Sequence, residues 1–117
     1  MSRIVLVLAA ACVALVLTAS VSAMSVPKLT GTVGPGFTIT LKKGTSKVTR
    51  LKPGKYTIVV KDLASKHNFH LKGPGVDKKT STPGKGTKTW TVTLKKGTYR
   101  YVCVPHASVM KASFKVT

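Results

Sequence analysis

Residues Gly97-Thr98-Tyr99-Arg100-Tyr101-Val102 read as a β-strand, and the next run, Cys103-Val104-Pro105-His106-Ala107-Ser108-Val109-Met110, carries a thiol, an imidazole and a thioether on one short loop. Tyr99, Tyr101 and Cys103 share one parity, so if the tyrosines pack inward the sulfur also points into the protein. Pro105 stiffens the turn that brings His106 back towards it. Soft sulfur plus imidazole selects copper among the first-row metals, and a trigonal site of two histidines and one cysteine with a weak axial methionine is an electron-transfer geometry. One more histidine is needed.

His67-Asn68 supplies it. Period-2 alternation over His67-Asn68-Phe69-His70-Leu71 puts His67, Phe69 and Leu71 on one face and Asn68 and His70 on the other. His67 is therefore the inward histidine, and His70 is an exposed or edge residue. Alone, an inward histidine is a satisfied interior group; beside Cys103, His106 and Met110 it becomes a ligand candidate.

The same alternation continues outward from these two stretches. Thr38-Ile39-Thr40-Leu41, Tyr56-Thr57-Ile58-Val59-Val60, Trp90-Thr91-Val92-Thr93-Leu94 and Ser113-Phe114-Lys115-Val116 are β-branched and alternating. Turn signals such as Gly34-Pro35-Gly36, Lys43-Gly44, Pro53-Gly54, Gly73-Pro74-Gly75 and Lys96-Gly97 separate them. The expected strands lie near 28–33, 37–43, 47–51, 55–62, 67–72, 87–94 and 98–103, with an eighth at 112–117. Thr38 to Thr45 is echoed by Thr91 to Thr98, as similar strand-and-turn units. The fold class is all-β, a two-sheet Greek-key sandwich of about 7–8 strands. Gly73 to Gly86, without alternation, is expected to be a mobile surface crossover loop.

Met1-Ser2-Arg3, the apolar stretch from Ile4 to Leu17 and Val21-Ser22-Ala23 read as a signal peptide over residues 1–23. The alternatives are an uncleaved anchor, although the apolar run is short of the roughly 20 residues that span a bilayer, and lipidation at Cys12. One domain, 24–117, comes after it. With Cys12 in the leader, Cys103 stands unpaired in an oxidising, secreted or periplasmic setting, where a thiol needs something to hold it, and a metal does so.

Lys and Arg number 20 against two acids, a formal net charge of +18. The two acids are Asp62 and Asp77, and only Arg3 of the basic residues lies in the leader. Such a charge steers the chain to acidic proteins, anionic headgroups or cell-wall polyanions. No basic cluster interleaved with aromatics argues for a nucleic-acid partner.

Gly97-Thr98-Tyr99-Arg100-Tyr101-Val102-Cys103-Val104-Pro105-His106 and His67-Asn68 together resemble the cupredoxins, the blue copper family of plastocyanin, pseudoazurin, amicyanin and azurin. The resemblance implies one type 1 copper ion with His67, Cys103 and His106 equatorial and Met110 axial. It also implies that Asn68 ties the two ligand loops together by hydrogen bonds, that Tyr99 closes a strand corner, and that His106 reaches the surface through an apolar patch. Pro74, Val104, Pro105, Ala107 and Val109 are the candidates for that patch. The spacer Ala107-Ser108-Val109 is shorter than plastocyanin's and longer than amicyanin's, so the axial distance stays open and Met110 has a core role as its alternative. Val102 stands where plant plastocyanin has an aromatic, and the acids of that partner surface are missing.

The expected function is a monomeric, non-enzymatic carrier of single electrons outside the cytoplasm, exchanging with an acidic redox partner that a membrane holds or not. A copper-delivery module and a metal-free basic adhesion domain are the competing readings.

Overall fold

The computed structural model describes residues 25–117. The leader, its cleavage point and Cys12 lie outside the described residues. Among the described residues no helix is long and apolar enough to cross a membrane.

The strands are β1 (Lys28–Val33), β2 (Ile39–Lys43), β3 (Ser46–Lys47), β4 (Arg50–Leu51), β5 (Gly54–Asp62), β6 (His70–Gly73), β7 (Val76–Lys79), β8 (Gly86–Leu94), β9 (Gly97–Val102) and β10 (Lys111–Val116). They form two five-stranded sheets, ordered β3-β2-β1-β5-β8 and β4-β10-β9-β6-β7. Pairing is antiparallel except for β1 with β5 and β10 with β4. The all-β sandwich expected from the alternation is present.

Each long strand buries one parity, as period-2 geometry requires. Tyr56, Ile58, Val60 and Asp62 point inward from β5, Tyr99 and Tyr101 from β9, and Phe114 and Val116 from β10. Between the sheets Phe69 stacks on Tyr101 at 5.4 Å and Tyr99 on Phe114 at 5.3 Å between ring centroids. Trp90 closes the column against Phe69. Gly31 is backbone for this stack: a Cβ there would lie 3.0 Å from the Phe69 ring.

Three expectations about elements change. Residues 47–51 are not one strand: Ser46–Lys47 pairs with β2 in the first sheet and Arg50–Leu51 with β10 in the second. Between them Val48 is buried and its N–H reaches the Leu41 carbonyl, so the chain turns the corner of the sandwich there. Regular pairing in the 67–72 stretch begins only at His70. Third, the segment 73–86 is no structureless crossover; it contains β7, paired in register with β6 from His70↔Lys79 to Gly73↔Val76.

Candidate metal centre

Cys103 leaves the end of β9 still on the inward parity of Tyr99 and Tyr101 and is completely buried. After it the chain makes a single 3₁₀ turn over Val104–His106 with Pro105 in its first positions, where the missing N–H of proline costs no hydrogen bond. The loop is closed by its own backbone. The His106 N–H donates to the Cys103 carbonyl, the Met110 N–H to the His106 carbonyl at 2.8 Å, and the Cys103 N–H to the Met110 carbonyl at 3.0 Å.

His67 comes from the segment just before β6, the strand paired with β9 in the same sheet, and is likewise completely buried. Its Nδ1 lies 3.6 Å from the Cys103 Sγ and 3.2 Å from the His106 Nδ1, and the His106 Nδ1 lies 3.6 Å from the same sulfur. A metal with bonds of about 2.0–2.1 Å to nitrogen and about 2.3 Å to sulfur, at angles between tetrahedral and trigonal, requires edges of about 3.3–3.6 Å and 3.5–3.8 Å. The donor triangle fits one ion within about 0.1 Å on every edge. Two imidazole nitrogens and one thiolate are also the soft and borderline donors that copper takes.

The family model of copper-binding proteins of the plastocyanin/azurin family matches residues 38–117. The chain belongs to that family. It is a cupredoxin, and His67, Cys103 and His106 form a site that fits one type 1 copper. Solved structures of rusticyanin share the fold. One of the reduced protein has a TM-score of 0.57 at 20% identity, covering 77% of this chain and 78% of its own. A second matches with a TM-score of 0.58 at 18% identity, covering 77% and 76%. A third, from Thiobacillus ferrooxidans, has a TM-score of 0.50 at 21% identity with the same coverage. No curated relative matches the sequence at a significant level.

The cupredoxin's two ligand segments are joined by Asn68. Its Oδ1 accepts the Val104 N–H at 2.7 Å and its Nδ2 donates to the Thr80 carbonyl at 3.3 Å. Parity placed Asn68 on the outer side with His70; it is instead buried, because the segment leaves the ladder before His70 and the 103–110 loop covers it. Thr80 completes the brace, its Oγ1 accepting the Phe69 N–H at 2.9 Å. Asn68→Ala removes both bonds and leaves the Val104 N–H without that acceptor. Copper affinity is expected to fall about 10–100-fold, the usual effect of losing outer support of a metal site, and competition against a chelator measures it.

Gly34 sits against the other edge of His67. Its φ is +75°, and a Cβ would approach the imidazole Cδ2 to 2.9 Å, so both conformation and space call for glycine. The turn after it carries Phe37, whose ring meets His67 and His106 edge-on at 5.6 and 5.0 Å. Phe37 is 58% exposed, with Lys66 Nζ 5.0 Å from its centroid. Nothing in the alternation marks it; an aromatic in a Gly-Pro-Gly turn is the one available signal.

Half-buried His106 is thus surrounded by exposed apolar side chains: Phe37, Val104 and Val109, with Pro105 and Ala107 on the same loop. Pro74 does not belong to this patch. It packs against Gly97 at the opposite end of β9, where the Tyr99 hydroxyl donates to its carbonyl. That hydroxyl also accepts the Lys95 N–H, closing the strand corner. Met110 is buried at the end of the ligand loop. His70 is outside the site, paired with Asp77 at 2.6 Å on the outer face. This contact and the neighbouring lysines hold the Asp77 carboxyl below the usual range.

Asp62, inward from β5 and 4% exposed, has one oxygen accepting the Ala64 N–H at 3.2 Å and the other without a partner among the described residues. It lines a cavity of about 30 Å³ with Thr80, Ser81, Lys85 and Lys88, room for a single water. Burial pushes its pKa up, partly offset by the Ala64 N–H and by His67. The native state thus binds this proton more tightly than the unfolded chain. The associated stability is complete below the ordinary carboxylate pKa and is lost as pH rises through the raised native value. Asp62→Asn, which can keep the Ala64 bond, is expected to melt higher than wild type at neutral pH and equally in acid. Thermal denaturation at the two pH values checks it.

Proposed function

We propose that this cupredoxin carries single electrons outside the cytoplasm, that Met110 would be the fourth residue to hold the copper, and that His106 is the port. The observation that supports this most is the unequal exposure of the donors. Cys103 and His67 are sealed, whereas His106 reaches the surface inside an apolar collar. Copper, when bound, supplies a one-electron couple. The chain supplies a cage that moves little between oxidation states, because the 103–110 loop is closed on itself and Asn68 clamps it to the His67 segment. The collar lets a partner approach His106 without stranding charge at the contact, and excludes water from it. The leader pattern and the unpaired Cys103 support a secreted, periplasmic or cell-surface location. Net charge of +18 supports an acidic redox partner. The domain is read as a monomer, with no substrate chemistry of its own.

Copper delivery uses the same ligands and is separated by kinetics. The electron carrier is expected to show fast electron self-exchange and slow release of copper to a chelator. Rapid Cu(I) release with sluggish self-exchange would replace the carrier reading by delivery. Val109→Asp, placing a charge in the collar, is expected to slow self-exchange about tenfold or more while leaving the absorption band in place.

A further inference from the structure

We infer that the outer face of the second sheet is a docking surface for an anionic lipid bilayer, separate from the His106 port. A local penalty in that sheet points to it. Arg100 of β9 stands directly opposite Lys72 of β6, and Lys115 of β10 directly opposite Arg50 of β4. Like charges in such cross-strand positions destabilise a sheet, and the one acid on this face, Asp77 opposite Lys72, is shared with His70.

The register shows how the cations are arranged. One row across the sheet reads Ser113, Arg100, Lys72, Asp77, and the next, nearer the copper end, reads Lys111, Val102, His70, Lys79. The face has a single carboxylate, Asp77, and His70 already holds it. Arg100 and Thr98 separate two shallow depressions of about 390 and 450 Å³, open on either side of the guanidinium. The first sheet has one such pair, Lys42 opposite Lys47, but it lies at the β2–β3 edge. Its central strands present Thr30, Thr32, Thr57 and Val59 outward at mid-strand, with Lys28, Lys55 and Lys61 towards the strand ends.

The chemistry of this face favours headgroups over a protein. Protein interfaces are built on buried aromatic and aliphatic anchors, and Val102 is the only apolar side chain in these rows. An anionic headgroup layer needs only a broad array of guanidinium and ammonium groups, each adding to the attraction. Lying on this face, the molecule keeps His106 at the rim, free for partners in the same plane. None of these residues is a copper ligand, so lipid docking stands apart from the electron-carrier reading.

The test uses the copper-loaded chain without residues 1–23, so that the apolar leader cannot contribute. Flotation compares phosphatidylcholine vesicles with vesicles in which about a third of the lipid is phosphatidylglycerol. Binding is expected only to the second kind and to weaken as salt is raised. Neutralising Lys72, Arg100, Lys111 and Lys115 together to glutamine is expected to lower the partition constant about a hundredfold. Neutralising Lys28, Lys42, Lys55 and Lys61 of the first sheet, an equal loss of charge, is expected to lower it less than about tenfold. An unchanged visible band confirms that each variant is folded and loaded. Equal losses in both variants, binding to pure phosphatidylcholine, or equal affinity for soluble polyglutamate at matched charge concentration would each overturn the assignment.

Discussion

Cys103→Ser is expected to abolish the intense visible charge-transfer band that the wild-type domain develops with Cu(II), and with it most of the copper-induced stabilisation. The sulfur sits at 3.6 Å from both Nδ1 atoms with no exposure, so it is the one soft donor in contact with both imidazoles. A serine hydroxyl is hard, stays protonated near neutral pH and gives no low-energy charge transfer to copper. The fold has no comparable stake in the sulfur. The Cys103 N–H bond to the Met110 carbonyl is backbone, and the change is one atom in a packed site. The apo variant should therefore melt within a few degrees of the apo wild type. A ligand bound only by the native state stabilises it by about 4 kcal/mol at a thousandfold excess over its dissociation constant. For a domain of this size that raises the melting temperature by about 15–30 °C, and the serine variant should show only a small part of it. Absorption titration and thermal melts with and without copper measure both effects. A retained band in the variant would remove Cys103 from the site, whatever the likeness to cupredoxins.

The dense chemistry between Cys103 and Met110 was legible because strand parity is rigid. Once Tyr99 and Tyr101 point inward the sulfur must follow, and it does. Parity fails where pairing stops. Asn68 lies just before β6, outside the ladder, and is turned inward under the ligand loop, where alternation cannot place it. The same limit explains β7. Its sequence, Val76-Asp77-Lys78-Lys79, has one buried residue and three exposed, so it carries no alternating pattern. Lysine-rich edge strands of this sort discourage pairing with other chains, and they look like loops until the register to β6 is known. Val48 shows a further case: it and Leu51 are buried three residues apart, out of step with a period of two, because the chain passes from one sheet to the other between them.

For the copper site, residue type carried the reading and distance in sequence hid the rest. His67, Cys103 and His106 announce themselves by chemistry. Phe37 and Thr80 do not: a phenylalanine and a threonine have many uses, and only the fold brings one beside both imidazoles and the other under Asn68. Pro74 fails in the opposite sense. It lies in a turn three residues beyond Leu71, close in sequence to the His67 strand, yet β6 runs away from the ligands and carries it to the far pole.

That far pole is where the largest loss of stability is expected, from Gly73→Ala. Gly73 ends β6 opposite Val76, and its glycine is dictated by space, not by backbone conformation. A Cβ there would fall 2.2 Å from the Tyr99 Cδ1 and 2.6 Å from Cε1 and Cγ. The ring has nowhere to go. Its hydroxyl donates to the Pro74 carbonyl at 2.8 Å and accepts the Lys95 N–H at 2.9 Å, while it stacks on Phe114 within 11° of parallel. The strain must therefore be taken by the β6–β9 backbone or by loss of those two bonds. Overpacking a core by one methyl costs about 1–3 kcal/mol, and this contact belongs at or above the top of that range. The expected fall in melting temperature is about 10–20 °C for a domain of this size, read by calorimetry on the apo protein. Copper ligands lie at the other end of β9, so the fraction still folded should load copper and show an unshifted band. An unchanged melting temperature would mean that Tyr99 is not fixed at its corner, and that the sandwich is held at this pole by something other than that ring.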